Sequence, residues 1–499
     1  MNRIYLIMTG SIVALAGLFY VLSRPTNRTA EFGDEPLMMF CAASNRAVIE
    51  SIAADYKDEF DRTIDINFGP SQGLLSQIEV SKAGELYLPA DDSYLERAKE
   101  KGLISEILPI GRQQAVIAVA KGNPKNINSY EDLLREDIRV VQANPDGAAV
   151  GKLARKLLKE VGKWDALDKH TVSYRGTVTE VANDIKLGAA DAGLVYDALL
   201  HTYPELEYVQ IPEFEKGVSP ISVGVIAATS SPQKALHFAR YISAKDRGQK
   251  RYREFGFQVT DGDEWSDVPE LNIFAGSMLR PAIDDTISRF EKREGVSINR
   301  KYNGCGLLVA DMKAGQQPDA YFACDMEFMD QVADLFTEPV SVSENQLVIL
   351  VQKGNPKNIR SMKDLTREGI RVGIGHEKQC AMGWITQNTF RDGGIQSEVM
   401  ENVAVQSATG DLLVNKMRAR SLDAAVVYLS NAAGSAEQLD AIAISGIECS
   451  TATQPWAVAS ESKYPNLASR LFQKIAGAES QEIFEAEGFS WQLEVDTQD

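Results

Sequence analysis

Ser44 and Ser71 are the residues whose type and placement first suggest a binding chemistry. Ser44 closes the apolar stretch LMMFCAAS, Ser71 stands in GPSQG after the β-rich TIDINFG, and apolar residues at helical spacing follow each serine. A serine that ends a strand and begins a helix can offer an anion both its hydroxyl and its backbone N–H, because the helix N-terminus carries partial positive charge. The simpler alternative is an ordinary N-cap, which is the commoner role of a serine before a helix.

Strands that alternate with helices must position these serines. LMMFCAAS, TIDINFG, ELYLPADD and QAVIAVAKGNP have the composition of strands, and between the first two the apolar residues Val48, Ile52, Tyr56 and Phe60 recur at helical spacing. This alternation predicts an α/β fold with mainly parallel sheets and helices on both faces. In such folds a ligand binds at the carboxyl ends of the strands, where the two serines fall.

The chain also contains an internal duplication. KGNPKNI occurs at Lys121 to Ile127 and again at Lys353 to Ile359, and further segments match at offsets of 232 to 234 residues, among them ADAGLVY with LDAAVVY. A constant offset of this size predicts two copies of a domain of about two hundred residues or more. KGNPKNI itself is typical of a turn that ends a strand, and Ser129 and Ser361 are predicted to cap the helices that follow.

Composition and motifs exclude several classes of function. The 499 residues are 44% apolar and 24% charged, which is typical of globular domains, and the formal net charge of -18 argues against a nucleic acid partner. The sequence lacks a nucleophile elbow, a phosphate-binding GxxxxGK[ST] loop, an HExxH motif and a dinucleotide fingerprint. We therefore expect a binding protein with no cofactor, and not an enzyme.

The N-terminal residues are typical of an export segment. Arg3 precedes the uncharged run Ile4 to Leu22, and polar residues follow. The run can just span a bilayer, which favours an uncleaved anchor, while Ala14 to Ala16 offers an alternative cleavage site. Residues 1–36 are interpreted as a signal peptide or signal anchor plus a tether, which predicts a periplasmic protein held at the inner membrane.

The order of motifs in the first copy resembles that of the periplasmic molybdate-binding proteins of ABC importers. The likeness covers AAS, ADD, the strand that ends in KGNP, SYEDLL, NPDGAAVGKLARKLL, TVTEVANDIKLGAADAGLVY and the segment that ends in EFGF, and a looser form covers the second copy. It implies two tandem class II periplasmic-binding-protein domains, each with two α/β lobes and a ligand cleft between them. The domains are expected at residues 37–261 and 271–499, joined by a linker at residues 262–270.

The resemblance also implies a ligand and the residues that hold it. The ligand would be molybdate or tungstate, a small dianion that backbone N–H groups and neutral hydroxyls can hold without a cationic side chain. Beside Ser44 and Ser71, the family pattern points to a backbone N–H near Ala149 or Val150, one near Val178, and the hydroxyl of Tyr196. A tyrosine at a strand end is otherwise most often a core residue.

The second copy departs from this pattern. Ser277 aligns with Ser44, Tyr428 with Tyr196, and Met382 with Val150. In YNGCGLL, however, an alignment of the last glycine with that of GPSQG puts Gly304 opposite Ser71 and Cys305 opposite Gln72, so one expected hydroxyl is missing. We list Ser277, Cys305, Met382 and Tyr428 as the second set of candidate ligand contacts.

Cysteines accumulate on the segments that should form the second cleft. Cys305, Cys324 and Cys380 fall there together with His376, and the total of five cysteines leaves at least one unpaired. Three interpretations stay open: a soft metal site, a disulfide such as Cys305 to Cys324, or thiols packed behind the loops.

The function predicted from the sequence is capture of molybdate, tungstate or a related tetrahedral oxyanion and its transfer to an ABC permease in the membrane. The alternative is a surface sensor or a thiol-dependent metal-handling protein that acts through the second domain.

Overall fold

The computed structural model describes residues 36–445 and 450–493. The predicted export segment, Ile4 to Leu22, and Cys449 lie outside the described residues. Within the described ranges, every helix falls short of the length and apolar character that a bilayer crossing requires.

The first domain contains ten strands and nine α-helices among the described residues. The strands are β1 (Leu37–Ala42), β2 (Ile64–Gly69), β3 (Leu86–Leu88), β4 (Ile104–Ala120), β5 (Val140–Ala143), β6 (Thr171–Arg175), β7 (Ala192–Tyr196), β8 (Leu206–Val209), β9 (Val218–Ile226) and β10 (Gln258–Val259). The helices are α1 (Arg46–Phe60), α2 (Ser71–Ser81), α3 (Ser93–Glu100), α4 (Tyr130–Leu133), α5 (Ala149–Glu160), α6 (Trp164–His170), α7 (Val178–Lys186), α8 (Pro232–Ser243) and α9 (Gly248–Glu254).

The second domain repeats this order. Its strands are β11 (Glu270–Gly276), β12 (Ser297–Asn303), β13 (Ala320–Phe322), β14 (Val340–Gln352), β15 (Val372–Gly375), β16 (Val403–Ser407), β17 (Ala424–Tyr428), β18 (Leu439–Ala443), β19 (Thr451–Val458) and β20 (Ser490–Trp491). Its helices are α10 (Arg280–Glu294), α11 (Cys305–Lys313), α12 (Met326–Asp330), α13 (Ala381–Asp392), α14 (Gln396–Asn402), α15 (Gly410–Arg418), α16 (Leu429–Ala432), α17 (Pro465–Ile475) and α18 (Ala478–Ala486).

The two sheets share one topology. The first runs β2-β1-β3-β9-β4-β7-β5-β6 with β8 and β10 added to β4, and the second repeats this order with every strand number raised by ten. Two sheets with the same strand order confirm the duplication and the tandem α/β fold that the sequence predicted.

Each domain is divided into two lobes by its long fourth strand. In the first domain β1 pairs in parallel with β2 and β3, and β5 pairs in parallel with β6 and β7. β4 runs antiparallel to β9 over Ile104–Gln114 and antiparallel to β7 over Ala115–Val119, so it passes from one parallel group to the other. We call the part built on β1 to β3 lobe I and the part built on β5 to β8 lobe II, and we use the same names in the second domain.

Apolar patterning explains where the elements form. The central strands β7 and β17 are buried at every position, as their continuous apolar runs AGLVY and AAVVY predict. α1 instead buries one stripe, with Val48, Ile52 and Tyr56 four residues apart facing the sheet. The sheets therefore supply the core, and the helices cover their faces.

The repeated KGNPKNI is a structural turn, as predicted. Its glycine has a φ of 80° in the first copy and 76° in the second, which favours glycine at this position. The side chains of Asn123 and Asn355 then bond both backbone groups of the isoleucine four residues on. Ser129 and Ser361 cap the next helical turns through capping boxes with Asp132 and Asp364.

The two domains meet through their lobes I. α8 of the first domain packs against α10 of the second, and Glu294 at the end of α10 is only 1% exposed. Its carboxylate accepts hydrogen bonds from Arg470 at 2.9 and 3.0 Å and from Arg240 of the first domain at 3.3 Å. The two guanidinium groups outweigh the effect of burial, so the pKa of Glu294 is lowered and the buried carboxylate stays charged.

Candidate anion-binding site

Four chain segments that each follow a strand meet between the lobes of the first domain. From lobe I come the short 3-10 turn Ala43–Asn45 after β1 and the start of α2 after β2, and from lobe II come the starts of α5 and α7 after β5 and β6. Since the carboxyl ends of parallel strands lie at one edge of a sheet, each lobe turns that edge toward the other.

These segments line a small, partly open cavity with a volume of about 20 Å³. Its lining contains all six residues predicted for the first domain, each of them buried, and every lining residue is neutral. The lining residues are Ala42, Ala43, Ser44, Gly69, Pro70, Ser71, Ala90, Ala148, Ala149, Val150, Thr177, Val178 and Tyr196.

The helix starts direct backbone N–H groups to the cavity. Pro70 and Ala148 hold the N-cap positions of α2 and α5, and neither has a side chain that could accept a first-turn N–H. The first N–H groups of both helices lack carbonyl partners within the helix. That of Gln72 donates to the Gly147 carbonyl across the cleft, and the others are available to a ligand. α7 differs, because Thr177 caps it through a capping box with Glu180, which leaves the N–H of Val178 at the cavity.

The two serines differ in how firmly they are held. The hydroxyl of Ser71 accepts the Ala90 N–H at 3.1 Å, and the Ser71 carbonyl accepts the hydroxyl of Tyr87 at 2.8 Å. Ser44 Oγ accepts a long bond from the side chain of Asn45, at 3.4 Å, and has no other hydrogen bond to the residues that the structure describes. Ser71 is thus fixed in place with its own O–H proton still to donate, while Ser44 has more freedom to turn toward a ligand.

Tyr196 supplies a neutral hydroxyl from the central strand. Its oxygen lies 3.1 Å from Ser219 Oγ on β9, and its side chain is fully buried. Burial raises the pKa of Tyr196 well above the ordinary tyrosine value. The phenol therefore stays protonated and can donate a hydrogen bond at any physiological pH.

The lobes of the first domain touch across the cleft. The Gln72 N–H donates to the Gly147 carbonyl at 3.2 Å, and the Thr179 hydroxyl donates to the Ala43 carbonyl at 3.5 Å. Both bonds join lobe I to lobe II, so the lobes are in contact beside the cavity. Separation of the lobes would break both bonds.

Strand pairing and helix starts identify the matching positions of the second domain. β1 and β11 pair with their neighbours in the same register, so Cys41 and Ala275 are equivalent positions. Counting on from there, Ser277 is the counterpart of Ala43, and Met278 is the counterpart of Ser44. α2 and α11 begin at Ser71 and Cys305, so Cys305 matches Ser71 and not Gln72. Both alignments made from the sequence were therefore wrong by one residue.

The reason for these corrections is that backbone pairing, and not residue type, sets the register. The sequence alignment matched serine with serine and glycine with glycine at two turns, where few residues constrain the choice. The corrected match means that both serine hydroxyls of the first site are replaced in the second, by Met278 and Cys305. The matches of Met382 with Val150 and Tyr428 with Tyr196 agree with the helix and strand positions.

Cys305 and Cys324 form a disulfide, with their Cα atoms 6.3 Å apart. Of the three interpretations of the cysteines, this confirms the disulfide for that pair. Cys380 is a buried free thiol whose pKa burial raises to about 11, and His376 accepts the Lys378 N–H through Nδ1 at 3.2 Å. Among residues 36–445 and 450–493, no group of three or more His, Cys, Asp or Glu side chains is arranged to hold a metal ion, so the predicted cluster of these cysteines with His376 is not formed.

The second cleft is also closed more tightly than the first. The Gly306 N–H donates to the Gln379 carbonyl at 3.1 Å, the counterpart of the Gln72 bond. A Cβ atom at Gly306 would lie 2.1 Å from the Lys378 carbonyl, so only glycine allows this approach. Tyr428 is buried like Tyr196, yet within the described part of the chain its hydroxyl has no hydrogen-bond partner, because Ala452 stands where the first domain has Ser219.

Sequence reasoning missed several residues of the first site. Thr177 and Ala148 line the cavity one position before the predicted contacts, and the helix-start pattern could have found them. Ser219 carries no motif, and Asp92, the last residue of ADD, was not predicted as a contact. Asp92 lies two residues after the cavity-lining Ala90 and accepts the Ser222 hydroxyl at 2.7 Å, and burial raises its pKa to about 6.

Comparison with known proteins gives one family and several relatives. A family model described as bacterial extracellular solute-binding protein matches residues 37–258 and again residues 271–490. A molybdate-binding protein of Mycobacterium bovis is 28% identical over 230 residues, which cover 45% of this chain and 85% of that protein. A candidate ABC transporter substrate-binding lipoprotein of Bacillus subtilis is 25% identical over 257 residues, covering 49% of this chain and 96% of that protein. Among solved structures, the periplasmic molybdate-binding protein of Azotobacter vinelandii matches with a TM-score of 0.40 at 16% identity, covering 45% of this chain and all of that one.

Proposed function

Because this chain belongs to the bacterial extracellular solute-binding protein family, twice over along its length, we propose that it captures a tetrahedral oxyanion outside the cytoplasm for an ABC importer. The proposed ligand is molybdate, with tungstate as its nearest chemical equivalent. The proposed site is the cavity of the first domain.

One observation carries this proposal: uncapped helix starts and neutral hydroxyls line one cavity between the lobes, and its lining has no charged member. Backbone N–H groups at helix starts favour negative charge, and a small cavity suits a compact anion. The hydroxyls of Ser44, Ser71 and Tyr196 add donors to this set. The relatives that are named as molybdate-binding proteins support the choice of molybdate.

The second domain lacks two of the three hydroxyls on which this proposal rests. Met278 and Cys305 stand in place of the two serines, and the close approach at Gly306 narrows the cleft. We therefore propose that one chain binds one oxyanion.

The proposed delivery follows from closure of the lobes. The bonds that join Gln72 to Gly147 and Thr179 to Ala43 exist only while the first domain is closed, so a permease can distinguish the closed form from the open one. We further propose domain limits at residues 37–261 and 271–499, and attachment to the inner membrane through the apolar N-terminal run.

Calorimetric titration of the full chain with molybdate, tungstate, sulfate and phosphate tests the proposal. The expected result is one molybdate or tungstate per chain with micromolar or tighter affinity. The double variant Ser44→Ala, Tyr196→Phe should lose at least a hundredfold in affinity, because each hydrogen bond to a charged group is worth about 1.5–3 kcal/mol. The matched double variant Met278→Ala, Tyr428→Phe in the second domain should leave the titration unchanged, and a lack of response to all four anions would refute the proposal.

A further inference from the structure

Five positions of the first cavity carry sulfur in the second domain. The matches follow from the strand register and the helix starts, and each sulfur residue is 6% exposed or less. The matched pairs, with the first-domain residue named first, are Ser44 with Met278, Ser71 with Cys305, Ala90 with Cys324, Ala148 with Cys380, and Val150 with Met382.

This accumulation exceeds what composition would place at one cleft, since the 499 residues include only 12 methionines and 5 cysteines. Cys305 and Cys324 are joined to each other, which leaves Met278, Cys380 and Met382 as the other sulfur residues at positions that match the first cavity. Met278 comes from lobe I, and Cys380 and Met382 come from the N-cap and second position of α13 in lobe II. A ligand held by all three would be gripped between the lobes, as the first cavity is.

We propose that the second cleft binds a soft monovalent metal ion, of the copper(I) class, through the thioethers of Met278 and Met382 and the sulfur of Cys380. Thioether and thiolate sulfur select soft metal ions over hard ones, and a donor set of this kind is suited to copper(I). The Cys380 thiol now donates to the Ser407 carbonyl at 3.6 Å. On binding, the metal ion replaces the thiol proton, one proton leaves, and no change of oxidation state is needed.

Two further observations favour a cation at this cleft. The net charge of -18 attracts cations over long range, whereas an anion would approach against it. Tyr428 is buried, at 2% exposed, and its hydroxyl has no hydrogen-bond partner among the described residues. The lone pairs of this oxygen are available to a positive ion, whereas the Tyr196 hydroxyl is already paired with Ser219.

The test is titration of the full chain with silver(I), a redox-inert probe for the copper(I) class, followed by native mass spectrometry and competition against a chelator. The protein is kept free of reductant so that the disulfide stays intact, and a Cys449→Ala background removes the thiol outside the described residues. The expected result is one tightly bound silver(I) per chain.

The variants restore the first-domain residue at each position: Met278→Ser, Cys380→Ala and Met382→Val. Each single change should weaken silver(I) binding at least tenfold, and the triple variant should abolish it. Cys41→Ala is the matched control, because it removes the buried thiol of the first domain at a position where the second domain has Ala275; binding should be unchanged. Circular dichroism and thermal unfolding show that each variant is folded.

Three outcomes would overturn the proposal. No silver(I) uptake by the parent protein would mean that the sulfur atoms only pack the core. Unchanged affinity in the folded triple variant would place the ion elsewhere. Uptake that appears only after the disulfide is reduced would assign it to Cys305 and Cys324 instead of the thioethers. None of these outcomes depends on whether the first domain binds an oxyanion.

Discussion

Cys305 occupies in the second domain the place of Ser71 in the first: its sulfur accepts the Cys324 N–H at 3.0 Å, as the Ser71 hydroxyl accepts the Ala90 N–H at 3.1 Å. The same backbone donor is satisfied in both domains. In the second domain, however, the acceptor is bound covalently to Cys324, so it has no proton left to donate to a ligand. The change from serine to cysteine thus keeps an acceptor for this backbone N–H and removes the hydroxyl that could donate to a ligand.

Ser71→Ala should destabilise the first domain and weaken oxyanion binding together. It leaves the Ala90 N–H without its acceptor in a buried place, which costs about 1–3 kcal/mol. Urea denaturation measures the loss of stability, and titration with molybdate measures the loss of affinity. Ser76→Ala, at an exposed position of the same helix, is the control and should change neither by a measurable amount.

Tyr196→Phe and Tyr428→Phe should differ in their effect on stability. The first removes the hydrogen bond to Ser219 and leaves that buried hydroxyl unpaired, at a cost of about 1–2 kcal/mol. The second removes a buried hydroxyl that is unpaired among the described residues, so stability should stay the same or increase. Thermal unfolding of the two variants side by side checks this, and equal destabilisation would contradict the assignment of the two hydroxyls.

Asp92→Asn should change how stability depends on pH. Burial raises the pKa of Asp92 from 3.8 to about 6 in the folded protein, so the folded state holds more protons than the unfolded state within this window. The contribution of Asp92 to stability is therefore greatest below the window and falls as the pH rises through it. The neutral amide should abolish this loss of stability with rising pH, and it should stabilise the protein at pH 7 by on the order of 2 kcal/mol.

Urea denaturation at pH 4, 5, 6 and 7 measures this effect. The exposed Asp58→Asn is the control and should reproduce the pH profile of the parent protein. A gain in stability that is equal at pH 4 and pH 7 would show that the amide acts through packing and not through the titration of Asp92.

Glu294→Ala should uncouple the unfolding of the two domains. Removal of the carboxylate leaves the buried Arg240 and Arg470 without their shared partner, and loss of one member of a buried ion pair costs about 3–5 kcal/mol. Differential scanning calorimetry should show a lower melting temperature, with one transition split into two. Glu479→Ala breaks an exposed pair with Arg289 and should cost less than about 1 kcal/mol; a similar loss in both variants would argue against a special role for Glu294.

Local patterns in the sequence were sufficient for most of the first site. Ser44 and Ser71 each follow a β-rich run and precede a helical one, and parallel strands bring such ends together at one edge of a sheet. The positions near Ala149, Val178 and Tyr196 came from the order of family motifs, and the structure brings all of them to one cavity. Ser219 could not be found, because it reaches Tyr196 only through the antiparallel pairing of distant strands.

The sequence by itself determined the duplication, the α/β class of both domains and the turns and caps of KGNPKNI, because these depend on repeats, periodicity and residues close together in the chain. Only the tertiary structure decided that Met278 and Cys305 replace the two serines, that Cys305 pairs with Cys324, and that Glu294 joins the domains. Strand pairing sets the register to a single residue, and contacts between residues far apart in the chain form only when the sheets are assembled.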